Sequence, residues 1–308
     1  MIEPGNASRP LAGVLSVFQT PYRADESIDY DTLDREIDWL FDRGADGIVM
    51  AMVSEVLRLS SQERMSLARH ACRAASDRGP VVVSVGAESS HTAEWYACDA
   101  EAAGAAALMA VPPMAVALSD EQLVIYYRRI FQATRLPLVV QDASGYVGRP
   151  LSMELQVRLL DEFGERVYFK PEAAPIGPRL SELHRACADR ARVFEGSGGI
   201  ALLDSFRRGI VGTMPGAELI DCIVGLWRAL CAGDNARAER IWLPVAALVS
   251  LEQSLDAFLA VEKYLLVKQG IFSNTLVRGP VGYLLDDTTR AQVDRLFESA
   301  MHALADTG

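Results

Sequence analysis

Chemistry in this chain is best sought at Lys170. Only three of the 30 Lys and Arg residues are lysines (Lys170, Lys263 and Lys268), and one of them closes the apolar run Val167-Tyr168-Phe169-Lys170. A lysine at the end of a buried strand is partly desolvated, which disfavours its ammonium form. A neutral amine can attack a ketone and form a Schiff base. The structural alternative is a buried ion pair between Lys170 and Glu172 or Glu195, and spacing alone leaves both readings open. Glu55 and Glu88 follow other apolar runs and could serve as acid–base groups. The run Gly196-Ser197-Gly198-Gly199 offers backbone N–H groups to a carboxylate or phosphate, or is a plain strand-to-helix turn. The four histidines (His70, His91, His184, His302) fall in or near helices and form no metal-binding trio. The five cysteines (Cys72, Cys98, Cys187, Cys222, Cys231) are odd in number and contain no C-x-x-C pair. Neither a disulfide framework nor a zinc site is expected, but reduced and mostly buried thiols. Nothing in the sequence requires a metal or a cofactor.

The elements that must position Lys170 follow from hydrophobic periodicity. Short apolar runs at 13–18, 47–52, 80–85, 106–111, 136–141, 167–170, 192–196 and 210–214 alternate with helical patterns at 29–44, 60–78, 90–104, 119–134, 151–163, 176–190, 200–208 and 218–231. The runs are continuously apolar, as parallel strands buried on both faces require. Ser60 with Glu63 makes a capping box, and Ser119-Asp120-Glu121 opens a helix. Eight strand–helix units predict an α/β fold, a (β/α)8 TIM barrel, rather than an open doubly wound sheet. No G-x-G-x-x-G opens a helix after the first strand, which argues against dinucleotide binding. Three further helical patterns, 234–249, 251–269 and 287–305, predict three additional C-terminal helices. The expected division is a barrel over 1–232 and a helical extension over 233–308. Pro10, Pro244 and Pro280 punctuate the chain, but no Gly/Ser linker marks a break.

Composition narrows the partners. The 308 residues are 50% hydrophobic and 23% charged, enough for a sizeable core. The formal net charge is −11, with no basic patch, so no nucleic-acid partner is expected. No run of about 18 uninterrupted apolar residues predicts a membrane span. Residues 1–10 have no apolar core of a signal peptide, and a cytoplasmic location is expected.

In a barrel the site lies at the C-terminal ends of the strands, and the residues there carry a resemblance. Thr20-Pro21-Tyr22, the stretch Asp46-Gly47-Ile48-Val49 to Ser54-Glu55 with Leu59, Ser60 and Glu63, Lys170-Pro171-Glu172-Ala173, Glu195-Gly196-Ser197-Gly198 and Gly209-Ile210-Val211-Gly212 span nearly the whole chain. In these motifs the chain resembles the dihydrodipicolinate synthase / N-acetylneuraminate lyase family, the class I pyruvate-dependent aldolases. The resemblance implies that Lys170 forms the imine. It implies substrate contacts from Val53, Ser54 and Glu55 after the second strand, Gly196 and Ser197 after the seventh, and Gly212 in the eighth.

The departures from the family pattern are informative. Met52-Val53-Ser54-Glu55 keeps one of the family's two hydroxyls, and Val111-Pro112-Pro113-Met114-Ala115 lacks its tyrosine. Gln141 stands at the catalytic tyrosine position, and Tyr146 where lysine-pathway members carry an arginine. A glutamine amide does not titrate near neutral pH and cannot shuttle a proton. The expected function is therefore a Schiff-base lyase, aldolase or hydro-lyase acting on pyruvate or a related 2-oxo acid, but not a true dihydrodipicolinate synthase. Tyr146, Glu55, Glu172 and Asp142 are candidate replacements for the lost acid–base group. The rival reading is a non-catalytic barrel that binds a keto acid as a sensor or scaffold. The resemblance and apolar stretches such as 243–251 also imply a homodimer or homotetramer.

Overall fold

The computed structural model describes residues 11–146 and 148–306. The signal-peptide reading of residues 1–10, Pro10 included, falls outside them. Eight strands form one sheet: β1 (Gly13–Val17), β2 (Gly47–Met50), β3 (Val81–Ser84), β4 (Ala107–Ala110), β5 (Leu138–Asp142), β6 (Val167–Pro171), β7 (Phe194–Glu195) and β8 (Gly212–Thr213). Their order is β6-β5-β4-β3-β2-β1-β8-β7, with every pairing parallel. A parallel bridge from Phe169 to Val193 brings β6 against the β7 side and closes the ring. The predicted (β/α)8 TIM barrel is the observed fold.

Each strand leads into a helix: α1 (Tyr30–Asp42), α2 (Ser61–Ala74), α3 (Ser90–Ala102), α4 (Asp120–Ala133), α5 (Met153–Phe163), α6 (Ile176–Ala186), α7 (Leu202–Arg207) and α8 (Ile220–Ala232). Local chemistry sets their starts. Ser60 caps α2 by accepting from the Glu63 N–H while the Glu63 carboxylate accepts from the Ser60 N–H, the predicted capping box. Ser89, Ser119 and Ser152 accept from the third residue of α3, α4 and α5 in the same way. Helix α2 ends at Ala74, short of the predicted residue 78, because Asp77 turns to φ 65° and Arg78 reaches back to Asp38 and Asp42. Strands β7 and β8 are two residues each, shorter than their apolar runs, because the glycine-bearing segments after them leave the ladder.

Side chains alternate across each strand. Leu15, Val17, Val49, Val82, Met109, Val139, Tyr168, Phe194 and Met214 fill the barrel interior. Val14, Ile48, Val81, Val83, Leu108, Leu138, Val140 and Phe169 face the helices. The same parity carries Gln141, Lys170 and Gly196 inward, one step above Val139, Tyr168 and Phe194. The sequence thus fixes which strand residues point to the mouth of the barrel.

Helices α9 (Asn235–Val249), α10 (Leu255–Lys268) and α11 (Asp287–Ala305) follow the barrel. Helix α9 packs on α8, and α11 packs on both. Helix α10 begins later than the predicted residue 251 because Ser254 caps it, accepting from the Ala257 N–H at 3.2 Å. Its place at the barrel mouth is fixed by Lys263, which is 1% exposed. The Lys263 ammonium pairs with Glu55 and donates to the Thr20 carbonyl at 2.9 Å and the Leu276 carbonyl at 2.7 Å. It also lies 4.6 Å from the Tyr22 ring centroid. Burial pushes the Lys263 pKa down and the Glu55 pKa up, each opposed by the other's charge. The pair is therefore an orienting contact rather than a large net stabiliser. Removing one partner strands the other charge, at a cost of about 3–5 kcal/mol. Lys263→Met is expected to lower stability by about that amount in urea unfolding; a midpoint unchanged from wild type would show that the pair does not hold α10.

Candidate active site

A cleft opens at the C-terminal end of the barrel. Its polar walls are Gln141, Tyr146, Lys170 and Glu172, and Val17, Ala51, Met52, Val53, Met214, Leu255 and Phe258 supply the apolar ones. Gln141 and Lys170 are direct neighbours in the β5–β6 register. Glu172 lies just beyond β6, on the same inward face as Lys170. Lys170 Nζ donates to Glu172 Oε1 at 2.6 Å, and Gln141 Nε2 donates to Glu172 Oε2 at 3.0 Å. Both oxygens of one carboxylate are thus held, one by a cation and one by a neutral amide. Gly196 leaves them room, since a Cβ there would lie 2.5 Å from Lys170 Cε and 2.7 Å from Glu172 Oε1.

Burial raises the Glu172 pKa, opposed by the charge and hydrogen bond of Lys170 and the hydrogen bond of Gln141. Its carboxyl can therefore take up and release a proton nearer neutrality than an ordinary glutamate. Tyr146 is shifted the other way from usefulness as a base. Burial, followed by the carboxylates of Glu172, Glu252, Glu195 and Glu262, holds its phenol protonated well above the usual range.

The structure brings together some of the sequence-predicted residues and separates others. Lys170, Gln141, Tyr146, Val53 and Gly196 all line the cleft. Ser54 does not: its hydroxyl donates to the Phe18 carbonyl at 2.6 Å and accepts from the Ala51 N–H at 3.0 Å, shaping the short turn Met52–Ser54. That turn presents Met52 and Val53, and the first N–H groups of such a turn have no partner within it. Glu55 is bound to Lys263, away from the cleft lining. Ser197 gives its backbone N–H and hydroxyl to Glu195, whose other oxygen accepts from Thr213 at 2.7 Å. Gly212 lies low in the barrel, against Gly13 and the Phe194 ring, while Gly216 takes the lining position at the mouth. Strand parity alone does not distinguish two inward positions four residues apart. Asp142 is engaged by the Ser144 and Leu151 N–H groups, and Glu88 by those of Met114 and Ala115. Of the four candidate acid–base groups, Glu172 and Tyr146 reach the cleft.

Sequence reasoning missed Leu255 and Phe258, whose role depends on where α10 docks. It also missed a buried carboxyl cluster behind Gly216. Glu218 and Glu262 face each other there, where a Cβ on Gly216 would strike both. Gln19 donates to Glu262, and both carboxyl oxygens of Glu252, 4% exposed, have no partner among the described residues. Burial raises the pKa of Glu218, Glu252 and Glu262.

A model of the dihydrodipicolinate synthetase family matches residues 10–300. The chain belongs to that family. It is 29% identical over 284 residues to L-2-keto-3-deoxyarabonate dehydratase of Azospirillum brasilense, covering 90% of each chain. The crystal structure of dihydrodipicolinate synthase from Rhodopseudomonas palustris superposes with a TM-score of 0.86 at 27% identity, covering 94% of this chain and 97% of that one. The sialic acid aldolase of Ruminococcus gnavus shares the fold with a TM-score of 0.82 at 18% identity, covering 95% and 97%. Members of the family are lyases that work through a Schiff base, so the family resemblance read from the motifs holds. No helix among the described residues is long and apolar enough to cross a membrane.

The carboxyl cluster sets a pH dependence. A carboxyl whose pKa is raised in the folded state contributes fully below its unfolded pKa, and loses that contribution as pH rises through the folded value. Stability is therefore expected to fall as pH rises above the ordinary carboxylate range. Glu252→Gln, which cannot ionise, should flatten that fall in thermal melts from pH 5 to pH 8. An equal slope in both proteins would mean that Glu252 does not bind its proton more tightly when folded.

Proposed function

We propose that the protein is a class I lyase that holds a 2-oxo acid as an imine on Lys170 and uses Glu172 as its acid–base group. The reaction we favour is loss of water from a 3-deoxy-4-hydroxy-2-oxo acid. The observation that carries this reading is the 2.6 Å contact between Lys170 Nζ and Glu172 Oε1 inside the cleft, with Gln141 on the other oxygen. The dehydratase name of the Azospirillum relative adds support.

In this scheme Glu172 carries two protons in turn, one from Lys170 and one from C3. Transfer from the Lys170 ammonium to Glu172 frees the amine, which attacks the C2 ketone. The attacking nitrogen gives one of its own protons to the C2 oxygen, and Glu172 returns its proton to the resulting hydroxyl, which leaves as water and gives the protonated imine. That cation acidifies C3. Glu172, again a carboxylate, takes a C3 proton to give the enamine. It then delivers the proton to the C4 hydroxyl, which leaves as a second water. Adding water back to the imine carbon releases Lys170, so the net change is loss of one water. The Gln141 amide fixes the carboxyl plane without competing for the proton. The N–H groups of the Met52–Ser54 turn are suited to the substrate carboxylate. The Tyr146 phenol can donate a hydrogen bond but cannot act as a base.

A binding barrel without catalysis would also keep the Lys170–Glu172 pair, and trapping separates the two readings. Borohydride with pyruvate or a 4-hydroxy-2-oxo acid is expected to leave a reduced adduct on the peptide containing Lys170, and none in Lys170→Arg. Glu172→Gln should still be trapped on long incubation but lose about 10²–10⁴-fold in kcat. Folded protein that gives no adduct with any 2-oxo acid would sink the imine reading.

A further inference from the structure

The proposed chemistry uses C1 to C4 of a substrate and leaves the chain beyond C4 unspecified. The cleft itself bears on that part. Its polar side chains are few, and most are already committed. Lys170 is consumed at C2, Glu172 serves C3 and C4, and the Gln141 amide N–H group is given to Glu172. That leaves the Tyr146 phenol and the Gln141 carbonyl for any further hydroxyl. Among the described residues, the remaining side chains of the wall are apolar, beside the backbone of Gly196, Gly198 and Gly216. Helix α10 contributes Leu255 and Phe258, three residues apart and so on one helical face. Phe258 is 4% exposed, and its ring edge would lie 3.2 Å from a Cβ on Gly198. Leu255 packs with Tyr146 against the small cluster of Met52, Val111 and Ala143.

Resting on the imine reading above, we infer that the substrate carries a short alkyl or aryl group beyond C4 rather than a polyol, and that Leu255 and Phe258 select it. A hydroxyl buried against these side chains loses its water without gaining a partner. An alkyl carbon there instead leaves water for an apolar wall. Both effects push selection the same way. The helix that supplies this wall is the one anchored through Lys263 to Glu55, so specificity comes from the C-terminal helices while the reacting groups come from the barrel.

The test uses two six-carbon substrates, 4-hydroxy-2-oxohexanoate and 4,5,6-trihydroxy-2-oxohexanoate, with the full-length protein. Each is trapped with borohydride, and kcat/KM for water loss is measured for each. The expected result is a Lys170 adduct with both and a preference of about 10–100-fold for the alkyl substrate. Leu255→Ser and Phe258→Ser should each shrink that ratio by about 10-fold, chiefly by raising KM for the alkyl substrate. Thermal melts of both variants guard against misfolding, and the half-buried Leu255 site is the more tolerant of the two. Adducts with both compounds but equal or better use of the triol would overturn the specificity inference alone. So would a ratio unchanged in both folded variants. No adduct with either compound would overturn the imine reading and this inference with it.

Discussion

Inside the barrel, a lysine and a carboxylate two residues apart hold each other at 2.6 Å, and what surrounds them serves that contact. Side chains two apart in an extended segment share a face, so β6 delivers both groups to the same interior. Gly196 is bare because a Cβ would press on both. Gln141, the register neighbour of Lys170, turns its amide to the carboxylate oxygen that Lys170 leaves free. Burial gives the pair its character: the cost of holding a charged carboxylate out of water raises the Glu172 pKa against the pull of the Lys170 charge.

Gln141, at the family's tyrosine position, holds the carboxylate of Glu172. Both oxygens of that carboxylate are engaged, one by the Lys170 ammonium two residues before it and one by the Gln141 amide. Tyr146, which sequence reasoning weighed as a replacement, is held protonated by burial and by the nearby carboxylates.

The outer layer repeats the theme of costly buried charge used for position. Lys263 crosses from α10 to Glu55 and to the Thr20 carbonyl, tying a late helix to two early strand ends. Behind Gly216, Glu218, Glu252 and Glu262 crowd together and are pushed toward their neutral forms. Neutral carboxyls can share hydrogen bonds where three carboxylates would repel. Burial thus favours the neutral form of these carboxyls behind Gly216.

The barrel was legible in the sequence because parallel strands buried on both faces must be continuously apolar, and intervening helices carry their own caps at Ser60 and Ser119. Lys170 was legible because a rare lysine ends such a strand. Strand parity also fixed the inward direction of Gln141 and Gly196. Parity has no depth, however, so Gly212 and Gly216 looked alike until the strand staggers set one low and one at the mouth. Hydroxyls and carboxylates at strand ends looked equally available, yet Ser54, Ser197, Glu55 and Asp142 are spent on local hydrogen bonds and a buried ion pair. Leu255 and Phe258 read as an ordinary apolar helix face. Only docking, more than 80 residues away in sequence from Lys170, decided that this face would close the cleft. Local spacing determines the strand, its direction and its chemistry; long-range packing determines which groups are left free to use it.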